Sequence, residues 1–160
     1  MISRDEVNAA LDAFGGRHGV SDVQLDDDDF AVLEFAEDQA ILVSYLDDKQ
    51  RLSLVSPIGT TDVAESAFAE SALLKFLLRL NRPRNPFDDA RIALDDESET
   101  LLLVRTIESL DSNDTFADAF EAFATHVLQL IDELDNTDFE NMDGEDFALP
   151  SAPEFPAVRV

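Results

Sequence analysis

The first apolar residues of the chain recur with the period of an α-helix. Four of them follow the spacing i, i+3, i+4, i+7, which places them on one helix face: Val7, Ala10, Leu11 and Phe14. Ser3 and Glu6 stand at the positions of a capping box, in which both side chains bond to free amides at a helix start. Gly15 and Gly16 are predicted to end this helix, because glycine readily takes the left-handed conformation found at helix ends.

The next three apolar segments have no helical period and are predicted to be β-strands. They cover residues 30–35, 40–46 and 51–55. The polar turns between them are too short for crossovers between parallel strands, so the three strands should form an antiparallel meander. Pro57 and Gly59 are expected to end it.

A second helix is predicted from Thr61 or Asp62 to about Asn81. Its apolar residues occupy well over half of the helix circumference. One sheet can cover only one side of such a helix, so the other side needs a second cover. A twin subunit would be the simplest cover. The first and third helices of the same chain are the alternative.

The rest of the apolar pattern predicts a hairpin and one more helix. Residues 91–94 and 100–107 should pair across an acidic turn. Apolar residues then recur at helical spacing from Thr115 to Leu134, which predicts an amphipathic third helix. After Asn136 the pattern fails, acidic residues predominate and three prolines follow.

This order of elements, α-βββ-α-ββ-α, predicts an α+β fold in which helices pack on an antiparallel twisted sheet. The length suits one domain with one core. We expect that domain over residues 1–135, followed by an acidic, proline-containing flexible tail over residues 136–160.

The charge of the chain limits its partners. There are 36 Asp and Glu against 11 Lys and Arg, a formal net charge of -25. Nucleic acid and an anionic membrane surface would be repelled, whereas basic partners would be attracted. Cys is absent, which is compatible with a reducing compartment. Asp5 and Glu6 lie where a signal peptide would be basic or apolar, and no apolar run is long enough to span a membrane. We therefore expect a cytoplasmic location.

Recognisable catalytic chemistry is absent from the sequence. His18 and His126 have no second ligand at metal-binding spacing and no nearby nucleophile with an orienting acid. The acidic run at residues 26–29 lacks the ligand ladder of a calcium loop and is predicted to be a solvated turn. No phosphate loop or dinucleotide fingerprint occurs. We predict a protein that is not an enzyme and binds no cofactor or metal ion.

The order of segments resembles the class I chaperones of bacterial type III secretion, the Tir chaperone family. Residues 11–19 (LDAFGGRHG) look like the end of that family's first helix, and residues 33–59 look like its meander. Residues 72–81 (ALLKFLLRLN) resemble its leucine-rich second helix, and residues 90–110 its last hairpin. The resemblance covers roughly residues 3–134.

The resemblance implies a small, acidic, cytoplasmic homodimer that needs no nucleotide. Such a chaperone holds the N-terminal region of a secreted effector in extended form and delivers it to the secretion ATPase. In the family, the second helix and the following strand form the dimer interface, which here implies Leu73, Leu77, Leu80, Ile92 and Leu94. Effector segments fill apolar patches on the first helix and the meander, which here implies Phe14, Phe30, Val32, Leu42 and Tyr45.

Two other functions are compatible with the acidic composition. An acidic inhibitor or immunity-type protein that mimics nucleic acid would spread carboxylates over a regular surface and need no apolar groove. A stand-alone acidic domain of a halophile would fold in a salt-dependent manner.

Overall fold

The computed structural model of the chain describes residues 1–82, 87 and 89–142. Three α-helices, five β-strands and one 3₁₀ turn lie in this part of the chain. Their bounds are α1 Arg4–Arg17, β1 Phe30–Ala36, β2 Gln39–Leu46, β3 Arg51–Thr60, the 3₁₀ turn Thr61–Val63, α2 Ala67–Leu80, β4 Arg91–Asp95, β5 Thr100–Ile107 and α3 Asn113–Asn136. The predicted α+β class and element order are confirmed.

The five strands form one antiparallel sheet in the order β1-β2-β3-β5-β4. Side chains alternate between its faces. The inner face contributes buried residues to the core, among them Ile41, Val43, Leu52 and Leu54. Helix α3 contacts both α1 and β3, whereas α2 lies beside β4.

The outer face of the sheet carries a continuous apolar row. Directly paired residues of neighbouring strands share a face, and the register pairs Val32 with Leu42, Leu42 with Val55, and Val55 with Val104. We call these four residues the outer row. Val32 is 64% exposed, and the other three are half-buried.

Helix α1 begins as predicted but ends later. The backbone N–H of Ser3 donates to the Glu6 carboxylate at 2.8 Å, and the N–H of Glu6 donates to the Ser3 hydroxyl at 3.3 Å, which completes the capping box. The helix continues through both glycines to Arg17. A Cβ on Gly15 would lie 2.6 Å from the Val23 side chain, so Gly15 is required for this close approach rather than for a helix end.

The boundary between β3 and α2 differs from the prediction. Strand β3 passes Pro57 and Gly59 through a register irregularity and continues to Thr60, because one irregular step allows pairing with β5 to resume. The 3₁₀ turn follows, and α2 begins only at Ala67. The Ser66 hydroxyl caps it by accepting from the Ala69 N–H at 3.1 Å.

The core extends past the predicted domain boundary. Phe139 is 3% exposed, and its ring centroid lies 5.8 Å from that of Phe76 on α2. The Glu140 carboxylate accepts from the N–H of Ser66 at 3.0 Å and from its hydroxyl at 2.7 Å. The packed part of the chain therefore extends beyond the expected boundary at residue 135 to at least Glu140, because one aromatic side chain anchors the segment without any periodic pattern. The remainder of the predicted tail lies outside the described residues.

Candidate partner-binding groove

A groove of about 1020 Å³ lies between the end of α1, the loop at residues 18–24, strand β1 and helix α3. Its floor is aromatic: the ring centroid of Phe14 lies 4.7 Å from that of Phe120, and Phe35 meets Phe120 edge-on at 6.5 Å. Phe116 supports Phe14 from the core at 5.6 Å. These contacts hold the aromatic floor in a fixed shape beside β1.

The loop at residues 18–24 forms one wall of the groove. The Val20 N–H donates to the Gly15 carbonyl at 2.9 Å, which folds the loop back onto α1. Beyond the loop, the N–H of buried Leu25 donates to the Asn8 side chain at 2.9 Å. Val20 remains 54% exposed on the wall. An apolar wall therefore rises next to the aromatic floor.

Carboxylates line the rim of the groove. Asp22 lies in the loop, Glu34 on β1 and Glu121 on α3, and all three are exposed. Lys and Arg are absent from the described residues that line the groove. The site thus combines an apolar floor with an acidic rim.

Strand β1 is an edge of the sheet, and part of this edge is free. The Tyr45 N–H donates to the Asp29 carbonyl at 2.9 Å, so Asp29 belongs to a pair of residues that bond across the two strands. Alternation in an antiparallel ladder then turns the N–H and C=O groups of Ala31 and Leu33 towards β2. Those of Phe30, Val32 and Glu34 point outward from the sheet.

Asp26 forms hydrogen bonds with the outward N–H and C=O groups of Phe30. Its carboxylate accepts from the Phe30 N–H at 2.9 Å, and its own N–H donates to the Phe30 carbonyl at 2.7 Å. Arg4 holds this turn through the Asp26 carbonyl and through an ion pair with Asp29 at 2.7 Å. The acidic run is thus a turn, as predicted, and among the residues that the structure describes it leaves the edge open only at Val32 and Glu34.

The structure brings together four of the five residues predicted to bind an effector. Phe14 lies in the floor and Val32 lines the groove. Phe30 and Leu42 lie beside Val32 on the outer face, where Phe30 is 39% exposed. The groove residue Phe14 and the outer-face residues Phe30 and Leu42 therefore lie on opposite sides of the β1 edge, where Val32 adjoins both.

Tyr45 is the exception, and its predicted role is corrected. It lies on the inner face, 6% exposed, and its hydroxyl donates to the Ile2 carbonyl at 3.0 Å. Burial, with the neighbouring Asp47 carboxylate, raises the pKa of Tyr45 above its ordinary value of 10.0. Tyr45 therefore holds the N-terminal residues on the core and takes no part in the groove.

The residues predicted for a dimer interface are divided between core and surface. Leu73, Leu77 and Leu80 are at most 5% exposed within a single chain, so their side chains belong to its own core and are not available to a partner. Ile92 is half-buried and Leu94 is 44% exposed. Helix α2 instead exposes three large apolar side chains, which we call its exposed stripe: Phe68, Leu74 and Leu78.

Several groove residues were missed at the level of sequence. Phe120 lies in the apolar stripe of α3, where the pattern indicates core, and it serves both core and groove. Val20 and Val23 lie in a loop without periodicity, so no pattern singles them out. Glu34 is one acid among 36 Asp and Glu, and only the strand register reveals its place at the free edge.

Neither a metal centre nor a membrane span is found in the described part of the chain. No three His, Asp or Glu side chains there are arranged to hold a metal ion. None of its helices combines the length and apolarity that crossing a membrane requires.

Comparisons with known proteins point to one family. The sequence model of the Tir chaperone protein (CesT) family matches residues 9–141. No curated protein matches the sequence. Among solved structures, a chain in the crystal structure of the ExsC–ExsE complex is 23% identical, with a TM-score of 0.71 over 84% of this chain and 97% of that one.

Two further structures have the same fold at lower identity. One contains the Yersinia pestis type III secretion chaperone SycH with a fragment of YscM2, at 14% identity and a TM-score of 0.56 over 78% of this chain and 98% of that one. The other is the ExoU–SpcU complex from the type III secretion system of Pseudomonas aeruginosa, at 20% identity and a TM-score of 0.57 over 79% of this chain and 99% of that one. At these identities the likeness establishes the fold.

Proposed function

Because this chain belongs to the Tir chaperone protein (CesT) family, we propose that it is a type III secretion chaperone, a binding protein rather than an enzyme. It binds the N-terminal segment of an effector in extended form and keeps that segment soluble and competent for secretion. The observation that carries the proposal is the groove, in which an aromatic floor runs along a free strand edge.

An extended segment has two needs that the groove meets. Its backbone N–H and C=O groups need partners when they leave water, and the outward groups of Val32 and Glu34 supply them by strand addition. Its apolar side chains need cover, which Phe14, Phe35 and Phe120 provide. In a folded protein most backbone groups are already paired and most large apolar side chains are already buried, so the groove favours an unfolded partner.

The partner is proposed to be a secreted effector. Related folds have been solved as the ExsC–ExsE and ExoU–SpcU complexes, which supports a protein partner for this chain. Delivery of the bound effector to the secretion ATPase, in the cytoplasm, completes the proposal and rests on the family resemblance.

We also propose a homodimer, through the exposed stripe of α2 and the neighbouring strand β4. Phe68, Leu74 and Leu78 are 59%, 40% and 70% exposed. A helix surface this apolar on a chain of formal charge -25 calls for a cover. Leu94 on β4, 44% exposed, extends the same surface in the proposal.

Coexpression with the product of the neighbouring gene tests the function. The two proteins should copurify, and limited proteolysis should leave an N-terminal fragment of the partner bound and protected. That fragment should be insoluble or rapidly degraded when it is expressed alone. A partner whose folded globular domain is bound, with its N-terminal segment fully accessible to protease, would contradict the proposal.

A further inference from the structure

The free part of the β1 edge is short and has defined ends. Asp26 occupies the outward N–H and C=O of Phe30. At the other end the pairing of β1 with β2 shifts register between Glu34 and Ala36. An added strand can therefore bond only to Val32 and Glu34, which sets the register in which a segment docks.

This register assigns each guest side chain to a face. Guest residues opposite Val32 and Glu34 share their side of the sheet, the outer face. The guest residue between them, opposite Leu33, points to the helix side. The groove floor of Phe14, Phe35 and Phe120 lies there. The middle residue should therefore be apolar, whichever direction the guest strand runs.

The charge of Glu34 determines which guest side chain is favoured opposite it. That carboxylate is exposed, and neither Lys nor Arg lies among the described residues that line the groove. Asp22 and Glu121 lie on the helix side of the same edge, where they add to the negative field around the docking segment. Two Arg side chains of helix α1 are already paired, Arg4 with Asp29 and Arg17 with Asp114. A guest carboxylate at this position would face the like charge of Glu34 directly across the two strands.

We propose that the groove selects an extended segment in which a Lys or Arg opposite Glu34 is followed or preceded by an apolar residue that enters the groove. This inference rests on the proposed function and specifies the chemistry of the segment that is bound. Glu34 then acts as a specificity-determining residue, while the aromatic floor provides the apolar contacts common to all guests.

Peptide titrations followed by NMR test the selection on the full chain. The probes are three capped heptapeptides with Ser at both ends and a core that alternates Val with Lys, Gln or Glu. The Lys peptide should bind most tightly and shift the amide resonances of Val32 and Glu34. Glu34→Lys should weaken the Lys peptide about three- to tenfold, because a cross-strand attraction becomes a repulsion, and should leave the Gln peptide unchanged.

Asp96→Lys is the matched control. It changes the net charge by the same amount in the turn between β4 and β5, at the opposite edge of the sheet. The Lys peptide should bind this variant within about twofold of the unaltered chain, since exposed distant charges are screened. Equal weakening by both variants would show attraction to net charge alone and overturn the inference.

Failure of the inference can be told from failure of the proposed function. If Lys, Gln and Glu peptides all bind the groove equally, charge selection is refuted while an effector-binding groove stands. If no peptide shifts Val32 or Glu34, the docking register is refuted. In that case copurification with the effector still decides the function.

Discussion

At the scale of single residues, substitution of Val32 should affect effector binding strongly and folding hardly at all. Its side chain is 64% exposed, so Val32→Asp should change the melting temperature by no more than about 2 °C. An apolar guest side chain opposite position 32 would then pack against a carboxylate, which costs several kcal/mol when that carboxylate loses water without a partner. We therefore expect effector binding to fall at least a hundredfold, as measured by calorimetry. Val32→Thr, which keeps the β-branched shape, should bind nearly normally. Undiminished binding by the Asp variant would place the site away from β1.

Tyr45 should show the opposite behaviour. Tyr45→Phe removes the hydrogen bond to Ile2 and should lower the free energy of unfolding by about 1 kcal/mol, with no change in effector binding. Because the pKa of Tyr45 is raised in the folded chain, its contribution is complete below the ordinary pKa and is lost as pH rises through the folded value. Urea unfolding at pH 8 and above pH 10 should show a steeper alkaline loss in the unaltered chain than in the Phe variant. Weaker effector binding by Tyr45→Phe would show that Tyr45 contributes to the effector-binding site.

The alternation of strand residues explains which site residues could be predicted. Leu42 and Tyr45 are three positions apart on one strand, so they must face opposite sides of the sheet. Leu42 and Tyr45 therefore cannot line the same surface of the sheet. Val32 and Leu42 share the outer face, and their direct pairing is seen only in the strand register. The loop residue Val20 has no pattern around it and could be located only in the folded chain.

At the scale of elements, the segment after α3 should contribute to stability. A chain that ends at Asp135 loses Phe139 from the core and Glu140 from the start of α2. Removing a buried Phe alone costs about 3–5 kcal/mol, so the melting temperature should fall by about 10 °C or more. A chain that ends at Met142 is the control and should melt like the full chain. Equal melting of both truncated chains would mean that Phe139 contributes nothing to the core.

Periodicity predicted that each helix exists but did not predict where each one begins or ends. Helix α2 starts at Ala67 because Ser66 caps it and Glu140 bonds to Ser66, and that second contact joins residues far apart in sequence. Strand β3 runs past Gly59 because β5 pairs with it. Such ends depend on tertiary contacts, which no local pattern contains.

Leu77 and Leu78 are adjacent on α2, but Leu77 belongs to the core and Leu78 to the proposed dimer interface. Leu78 is 70% exposed, whereas Leu77 is 5% exposed. Leu78→Asp should leave a folded chain that light scattering reports as a monomer, because a charge would be buried at the subunit contact. Leu77→Asp should instead unfold or aggregate, since it places a charge in the core. A dimer that persists in folded Leu78→Asp would locate the interface away from the stripe.

At the scale of the whole molecule, the charge and the groove have different tasks. A formal charge of -25 keeps a protein with exposed apolar surface soluble and attracts basic segments over long range. It contributes little to a bound complex, because exposed ion pairs are worth about 0–1 kcal/mol each. The groove combines apolar floor and acidic rim at one place, an arrangement that a mimic of nucleic acid would not need.

Salt therefore discriminates between a chaperone and an acidic inhibitor. Raising NaCl from 0.15 to 0.5 M shortens the screening length from about 8 Å to about 4 Å. If groove filling provides the affinity, calorimetry should show the effector segment binding less than about tenfold more weakly at the higher salt concentration, since burial of apolar surface is not screened. An inhibitor bound through many charge contacts would lose about a thousandfold or more over a comparable range. A loss of that size, together with unchanged binding by Val32→Asp, would replace the chaperone with the inhibitor.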